Sequence, residues 1–224
     1  MPTARWMTPV VGVALVAALA GPAVARAHVA ATDRALLGAG TLTSADVAST
    51  WTASKQHDTS DKSFAGIAAC KQIRAASSAA RKRVPRRLSP TFTDLRSPNQ
   101  LTSAEDTVYA FKDVAAADRF LSVYKATDAQ TCLTNATKKA VGRAAVQVTA
   151  APVANLQGVG DDNAGWEATL QATDRAGNPV TVVFDVVAVR VGRAFVGFDF
   201  SNQGGPLGQA RPVIAAVVQR VAAA

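Results

Sequence analysis

Three closely spaced β-rich segments in the last third of the chain constrain its fold more than any other feature. They cover residues 166–173, 180–190 and 194–200, and the turn between the last two is formed by Gly192 and Arg193. A two-residue turn with glycine first joins antiparallel strands as a type II′ hairpin. We therefore predict an antiparallel meander in this part of the chain.

The hairpin register also determines which side chains share a face of the sheet. Pairing across a two-residue turn places Val187 opposite Phe198. The same register pairs Asp199 with Val186, so Asp199 and Asp185 point to opposite faces. We therefore do not expect these two carboxylates to form a general acid/base pair.

The other segments predict helices and further strands. Asp113 is suited to cap a helix over 114–124, where apolar residues recur at helical spacing. A closing helix is predicted within 205–224. Shorter helices are predicted at 45–51, 64–80 and 132–141, and strands at 90–96, 104–111 and 144–150. The predicted fold class is α+β: an antiparallel β-sheet with packed helices and a C-terminal helix.

The N-terminus has the pattern of a secretory signal. Arg5 precedes an apolar run over 10–20, and residues 25–27 read Ala-Arg-Ala, a small-x-small cleavage pattern. A retained membrane anchor is the alternative, but the run is shorter than the ~20 residues that span a bilayer. We expect residues 1–27 to be removed and residues 28–224 to form one exported domain without a lipid anchor.

Cys70 and Cys132 are the two cysteines of the chain. In an exported protein such a pair predicts a disulfide. It would close a loop of about 60 residues, worth about 4 kcal/mol in the chain-entropy model. Two buried free thiols are the alternative. A metal site is not expected, because no histidine lies nearby to complete a ligand set.

The segment "VGDDNAGW", residues 159–166, looks at first like a ligand-binding loop. It does not fit a phosphate loop, because Gly165 is followed by Trp166 and a strand rather than by lysine and a helix. It does not fit a calcium loop, because Gly165 and Ala172 stand where ligands belong. The pattern predicts a glycine-bounded turn that leads into the meander.

Enzyme signatures are weak in this sequence. "SVYK", from Ser122 to Lys125, matches the S-x-x-K motif, but the companion motifs of that enzyme class are missing. His28 and His57 are the two histidines, and neither has a nucleophile motif to serve. We predict that the protein is not an enzyme and needs no cofactor, and we keep a hydrolase as the least favoured hypothesis.

"RKRVPRR", residues 81–87, is the main charge cluster. The chain carries a net charge of +8, of which the predicted signal removes two cations. The cluster is a candidate polyanion-binding site for an anionic component of the cell envelope, and a solvated loop is the alternative. Nucleic acid is not an expected partner, because no aromatic residues interleave the cations. The candidate residues are Arg81, Lys82, Arg83, Arg86 and Arg87.

Large aromatic side chains offer candidates for a ligand cleft. Trp51, Trp166 and Phe198 are the ligand-binding candidates, for an unidentified small or lipid-like molecule. The alternative is that they are core residues, because large aromatics dominate the cores of small domains.

Several of these segments together resemble the PknH-like extracellular sensor domain family. The segments are "LLGAGTLTSADVASTW" (36–51), "DVAAADRFLSVY" (113–124), "TCL" (131–133), "GVGDDN" (158–163) and "VAVRVGRAFVGF" (187–198). The members are exported or lipid-anchored actinobacterial proteins, or the outer domains of receptor kinases. The resemblance implies an antiparallel sheet with helices packed on it, a cleft for an unknown ligand and no enzymatic activity.

The chain departs from that family in two respects. The kinase sensor domain has two disulfides, whereas only Cys70 and Cys132 are present here. The kinase and its transmembrane helix are also missing from this sequence. We therefore predict a secreted, non-enzymatic, sensor-like binding domain, with an envelope-interaction protein that uses residues 81–87 as the alternative.

Overall fold

The structure is a computed structural model. It describes residues 31–56, 64–94, 102–141, 145–153, 156–173, 177–205 and 210–224. The predicted signal over 1–27 lies outside these residues, as do His28 and His57. Among the helices of the described ranges, none has the length and apolar character that a bilayer crossing requires.

Helices and strands alternate in groups along the described chain. The helices are α1 (Ala31–Gly40), α2 (Lys71–Arg83), α3 (Val114–Lys125), α4 (Thr127–Val141) and α5 (Ala210–Ala222), with a 3₁₀ turn at Ala68–Cys70 before α2. The strands are β1 (Trp51–Ser54), β2 (Arg86–Leu88), β3 (Thr91–Asp94), β4 (Ser103–Ala110), β5 (Ala145–Pro152), β6 (Asp162–Thr173), β7 (Pro179–Val191) and β8 (Ala194–Gln203).

All eight strands belong to one antiparallel sheet. Its order is β1-β3-β4-β8-β7-β6-β5, and the short β2 pairs with β4 beside β3. Strands β5 to β8 follow one another as a meander, which confirms the predicted α+β fold class and its C-terminal meander.

The hairpin between β7 and β8 has the predicted register. Gly192 has φ of 55°, a left-handed conformation that glycine adopts without steric cost. Val187 pairs with Phe198, and Asp199 pairs with Val186. A two-residue turn was sufficient to predict this register because the side chains of a strand alternate strictly between faces.

Each face of the sheet carries its own helical layer and its own core. Helices α1 and α5 pack on what we call the α1/α5 face, and α2, α3 and α4 pack on the α2–α4 face. The α1/α5 core contains mainly aliphatic residues, among them Val108, Val187, Val189, Val196, Ile214 and Val217. The α2–α4 core is built around an aromatic cluster of Tyr109, Phe111, Phe120, Tyr124 and Phe195.

Helix α3 begins as predicted. The side chain of Asp113 accepts a hydrogen bond from the backbone N–H of Ala116 at 2.7 Å, which satisfies one free donor of the first turn. The buried side of the helix then places Phe120 edge-on against Phe195, with ring centroids 4.7 Å apart. This contact anchors α3 to the centre of the sheet.

One predicted helix is absent from the structure, and one helix of the structure was not predicted. Residues 45–51 form turns rather than a helix, and Trp51 begins β1. The backbone closes single turns there, because the N–H of Asp46 donates to the carbonyl of Thr43 at 3.1 Å and that of Trp51 to the carbonyl of Ala48 at 2.9 Å. The structure also has α1, which the sequence did not indicate, because its glycines at 38 and 40 weaken the helical pattern.

The segment 81–87, for which a solvated loop was the alternative interpretation, is part helix and part strand. Arg81, Lys82 and Arg83 form the last turn of α2, and β2 begins at Arg86. Pro85 does interrupt the helix, as expected, but the segment beyond it pairs with β4. A three-residue strand has no periodicity of its own, so only the neighbouring strand could reveal it.

Candidate functional site

The disulfide joins two helical segments on the α2–α4 face. Cys70 lies at the start of α2 and Cys132 in the middle of α4, and the two are bonded with their Cα atoms 4.8 Å apart. Both cysteines are buried in the α2–α4 core. The predicted disulfide is therefore present, and its surroundings are those of a structural cross-link rather than of a reactive thiol pair.

Trp166 packs beside this disulfide. Its indole Nε1 donates to the carbonyl of Tyr124 at 2.8 Å. A cavity of about 20 Å³ adjoins it, lined by Phe64, Ile73, Tyr124, Ala129, Cys132, Leu133, Trp166 and Val186. That volume holds about one water molecule. Trp166 is thus a packing residue in this structure and lines no ligand-sized cleft there.

The other two aromatic candidates lie on the opposite face. Phe198 is 0% exposed in the α1/α5 core and stacks on Phe200, with ring centroids 6.0 Å apart. Trp51 lies on β1 and packs against the same core. The structure therefore does not bring Trp51, Trp166 and Phe198 together, because the sheet separates them. Ligand binding by any one of the three stays a prediction.

The turn at "VGDDNAGW" holds several elements together by hydrogen bonds. Asp162 forms an ion pair with Lys125 at the end of α3, with an Nζ–Oδ2 distance of 2.6 Å. Asn163 Nδ2 donates to the carbonyls of Leu156 and Val159, both at 2.9 Å. The polar side chains of this loop are thus engaged by the protein itself, in agreement with the predicted turn.

The same ion pair accounts for "SVYK". Lys125 is turned towards Asp162, and the hydroxyl of Ser122 donates to the carbonyl of Arg119 at 2.8 Å within α3. A serine nucleophile needs a neighbouring base that accepts its proton. Lys125 does not serve Ser122 in this way.

Carboxylates do face one another in the sheet, but in pairs that the sequence did not indicate. Asp185 on β7 lies directly opposite Glu167 on β6. Asp199 on β8 lies directly opposite Glu105 on β4. Since Asp185 and Asp199 point to opposite faces, each face carries one carboxylate pair.

Burial perturbs these acids. Glu105 is buried, which raises its pKa, although Thr91 Oγ1 donates to its Oε2 at 2.5 Å and works in the opposite direction. Burial, and then the charge of Glu167, raise the pKa of Asp185 to about 6. Glu105, Asp185 and Asp199 are buried, so a substrate does not reach these three carboxylates without movement of the protein. Glu167 is half-buried.

A cleft of about 590 Å³ opens at the turn end of the β7–β8 hairpin. The first turns of α1 form one wall and the end of α5 forms the other. Its lining residues are Thr32, Leu36, Asp161, Val191, Gly192, Arg193, Val221, Ala222 and Ala224. The volume lies within the ~300–1,000 Å³ range of small-molecule sites.

Arg193 supplies unused hydrogen-bond donors to this cleft. Its Nη1 forms an ion pair with Asp33 Oδ1 at 2.6 Å and donates to the carbonyl of Phe111 at 2.8 Å, and its Nη2 donates to Thr32 Oγ1 at 3.3 Å. A guanidinium has five N–H donors. In the part of the chain that the structure describes, Nε has no acceptor, so this edge of Arg193 is available.

Asp161 supplies an acceptor to the same cleft. Its Oδ2 accepts from the backbone N–H of Gly192 at 2.6 Å and from Arg190 Nη1 at 2.9 Å, which holds the carboxylate against the hairpin. Within the described ranges its Oδ1 accepts no hydrogen bond from the protein. The rim of the cleft therefore presents a donor edge and an acceptor oxygen above apolar walls.

The structure divides the basic cluster. On β4, Tyr109 is the partner of Arg86 and belongs to the α2–α4 core, so Arg86 lies on that face. Val108 is the partner of Arg87 and belongs to the α1/α5 core, so Arg87 lies on the opposite face. Arg81 and Arg86 are half-buried, and each has an interaction partner of its own. The five cations therefore do not form one uniform patch.

Solved structures that resemble this chain include two mycobacterial proteins. The extracellular domain of PknH from Mycobacterium tuberculosis aligns at 13% identity over 86% of this chain and 96% of that chain, with a TM-score of 0.48. LpqN of the same organism, described as involved in cell envelope biogenesis, aligns at 12% identity over 63% and 78%, with a TM-score of 0.30. No family model and no curated protein matches.

Neither likeness carries an argument about family or function at these scores. The resemblance to the PknH-like family thus stays a prediction that rests on the quoted segments. What the chain does has to be inferred from its own cleft and surface.

Sequence reasoning missed the cleft, although one of its parts was noticed. Gly192 and Arg193 were singled out as a hairpin turn, without a ligand-binding role. Thr32, Leu36 and Val221 complete the lining from the two ends of the domain. No spacing along the chain indicates that residues so far apart in sequence meet around a hairpin.

Proposed function

We propose that this protein is an extracytoplasmic, non-enzymatic, sensor-like domain that binds a small amphipathic ligand in the cleft at Arg193. The observation that carries the proposal is the cleft itself, a ligand-sized opening with apolar walls and two free polar groups on its rim. Sites of this composition hold the apolar part of a ligand by burial and orient it with a few polar contacts.

The ligand class follows from the lining residues. Leu36, Ala222 and Ala224 offer accessible apolar surface in the lining. Arg193 Nε is the donor and Asp161 Oδ1 the acceptor of the proposed site. A molecule with an apolar body and a polar head that both accepts and donates hydrogen bonds satisfies this set. Trp51, Trp166 and Phe198 have no part in this binding.

The extracytoplasmic location is supported by the sequence and by the cysteines. Residues 1–27 have the order of a secretory signal, and the bonded Cys70–Cys132 pair is typical of an oxidising compartment. The absence of catalysis is supported by the engagement of Ser122 and Lys125 with other partners. A ligand in this cleft is therefore bound rather than converted.

A cleft-filling variant tests the proposal. Ala222→Trp places an indole in the cleft, whereas Gln219→Trp adds the same side chain at an exposed position of α5 outside the lining. The probe is anilinonaphthalene sulfonate, an apolar ring system with a polar head. We expect its fluorescence to rise with the wild type and with Gln219→Trp, and at least tenfold weaker binding with Ala222→Trp.

The wild type secreted by an actinobacterial host is measured in parallel by native mass spectrometry. A ligand that co-purifies should be present in Gln219→Trp and missing from Ala222→Trp. Equal dye binding by all three proteins would place the dye elsewhere and refute the cleft as the site. The denatured mass also tests whether the chain begins after residue 27.

A further inference from the structure

The structure adds a residue to the basic cluster that is far from it in sequence. If Gly38 carried a Cβ atom, that atom would lie 3.8 Å from Arg87 Nη1. The Arg87 side chain on β2 therefore reaches the surface of α1 at Gly38. Arg34 precedes Gly38 by one helical turn and is exposed. Residues four apart are neighbours on a helix surface, which brings the Arg34 and Arg87 cations together.

Lys82 and Arg83 extend this group around the edge of the sheet. Both are exposed at the end of α2, and Arg83 lies four residues before Arg87. Four residues span at most about 14 Å of chain. Arg34, Lys82, Arg83 and Arg87 therefore form a positive patch at the edge of the domain, which we call the edge patch.

Within the described residues, the charges of the edge patch are not neutralised by ion pairs. No ion pair to any of its four cations is formed by the carboxylates of the described residues. The nearby acids of the α1 region have other partners, because Asp33 pairs with Arg193 and Asp46 with Arg220. Like charges that lie close together repel one another and create a positive potential, so all four cations contribute to the attraction of an anionic partner.

We propose that the edge patch docks the protein on an anionic phospholipid surface. The four cations come from α1, α2 and β2, and none of them lines either of the two cavities described above. A cluster of Lys and Arg side chains is attracted to the negative surface potential of anionic lipid headgroups. Three of the four are arginines, whose guanidinium groups suit phosphate.

This docking is electrostatic, weak and reversible. A Lys or Arg near an anionic leaflet contributes about 1 kcal/mol, which corresponds to about fivefold in binding for each cation. The interaction is screened within about 8 Å at physiological salt. The docking does not involve residues of the ligand cleft, so a negative result for one proposal does not contradict the other.

Vesicle co-sedimentation of the mature protein tests the proposal. The vesicles contain phosphatidylcholine alone or with phosphatidylglycerol. The double variant Arg34→Gln/Arg87→Gln removes two cations of the patch. The control Arg119→Gln/Arg211→Gln removes two exposed arginines on α3 and α5, so the net charge falls equally.

We expect binding only to the anionic vesicles, a steep loss on raising the salt, and about 25-fold weaker binding by the patch variant. The control should change less than threefold. Equal losses by both variants would mean that net charge alone attracts the protein, which overturns the patch. Binding to a soluble anionic polysaccharide but not to the vesicles would overturn the lipid surface as the partner.

Discussion

Glu167 on β6 and Asp185 on β7 lie directly opposite each other on the α1/α5 face of the sheet. Asp185 is only 7% exposed, and its Oδ1 receives no hydrogen bond within the described ranges. Phe200, its neighbour on β8, brings no opposing charge. Like charges that face each other across strands destabilise a sheet. The two carboxylates therefore repel each other when both are ionised.

Asp185→Asn should make the protein more stable at pH 7. Burial and Glu167 raise the Asp185 pKa to about 6 from its ordinary 3.8, so the folded state holds this proton more tightly than the unfolded state. The wild type should therefore lose stability as the pH rises from about 4 to about 6. Asparagine mimics the protonated acid, so we expect a gain on the order of 2 kcal/mol at pH 7 and little change at pH 4.

The free energy of unfolding of the two proteins, measured in urea between pH 4 and pH 7.5, checks this expectation. Glu167→Gln is the matched variant, because it removes the other charge of the pair. It should reproduce part of the gain at pH 7. A wild type whose stability is flat over this range would show that Asp185 titrates normally.

Loss of the disulfide should destabilise the domain by about 2–4 kcal/mol, because the unfolded chain is then free of a closed loop. The bond joins residues 62 positions apart. The comparison is between the wild type and Cys70→Ala/Cys132→Ala, unfolded in urea with and without reductant at equilibrium. Reductant should lower the wild-type midpoint to that of the variant and leave the variant unchanged.

Arg220→Ala should destabilise the domain by about 2 kcal/mol. Arg220 forms an ion pair with Asp46 and donates from Nε to the carbonyl of Ala39 at 3.1 Å. Its loss leaves the poorly exposed Asp46 carboxylate without a cationic partner, although Thr43 still donates to it, and leaves the Ala39 carbonyl without this donor. Arg211→Ala, an exposed position of the same helix, is the control and should change stability by less than about 0.5 kcal/mol.

The same pair adds a pH dependence of opposite sign to that of Asp185. Burial acts to raise the pKa of Asp46, but hydrogen bonds from Arg220 and Thr43 outweigh it and hold the pKa below the ordinary value of 3.8. The stabilisation by this pair is therefore complete above about pH 4 and is lost as the pH falls through the lowered pKa. In Arg220→Ala, the free energy of unfolding in urea should fall less steeply below pH 4 than in the wild type. An unchanged pH dependence would show that Arg220 does not lower the Asp46 pKa.

Gly160→Ala should be far more harmful than Gly158→Ala. Both glycines have positive φ, 66° and 74°, so either alanine costs about 1–2 kcal/mol of backbone strain. A side-chain carbon on Gly160 would in addition stand 2.4 Å from Val189 Cγ1 and 2.7 Å from the carbonyl of Arg190, whereas the space at Gly158 is open. Thermal unfolding of both variants measures the difference, and equal melting temperatures would contradict it.

Local sequence patterns were sufficient for features that depend on neighbouring residues. The Gly192–Arg193 turn specified the β7–β8 register, including the opposite faces of Asp185 and Asp199, because side chains alternate along a strand. Asp113 specified the start of α3 because a cap needs only the first turn of its own helix. Cys70 and Cys132 could be paired because the chain holds two cysteines.

Tertiary structure alone decided which of these elements meet. Asp185 faces Glu167 rather than Asp199, Arg87 meets α1 at Gly38, and Thr32 shares a cleft with Arg193. Trp51 and Trp166 are on different faces for the same reason. Each of these relationships depends on the order of strands in the sheet and on the packing of helices, which are set by burial summed over the whole chain and leave no local mark in the sequence.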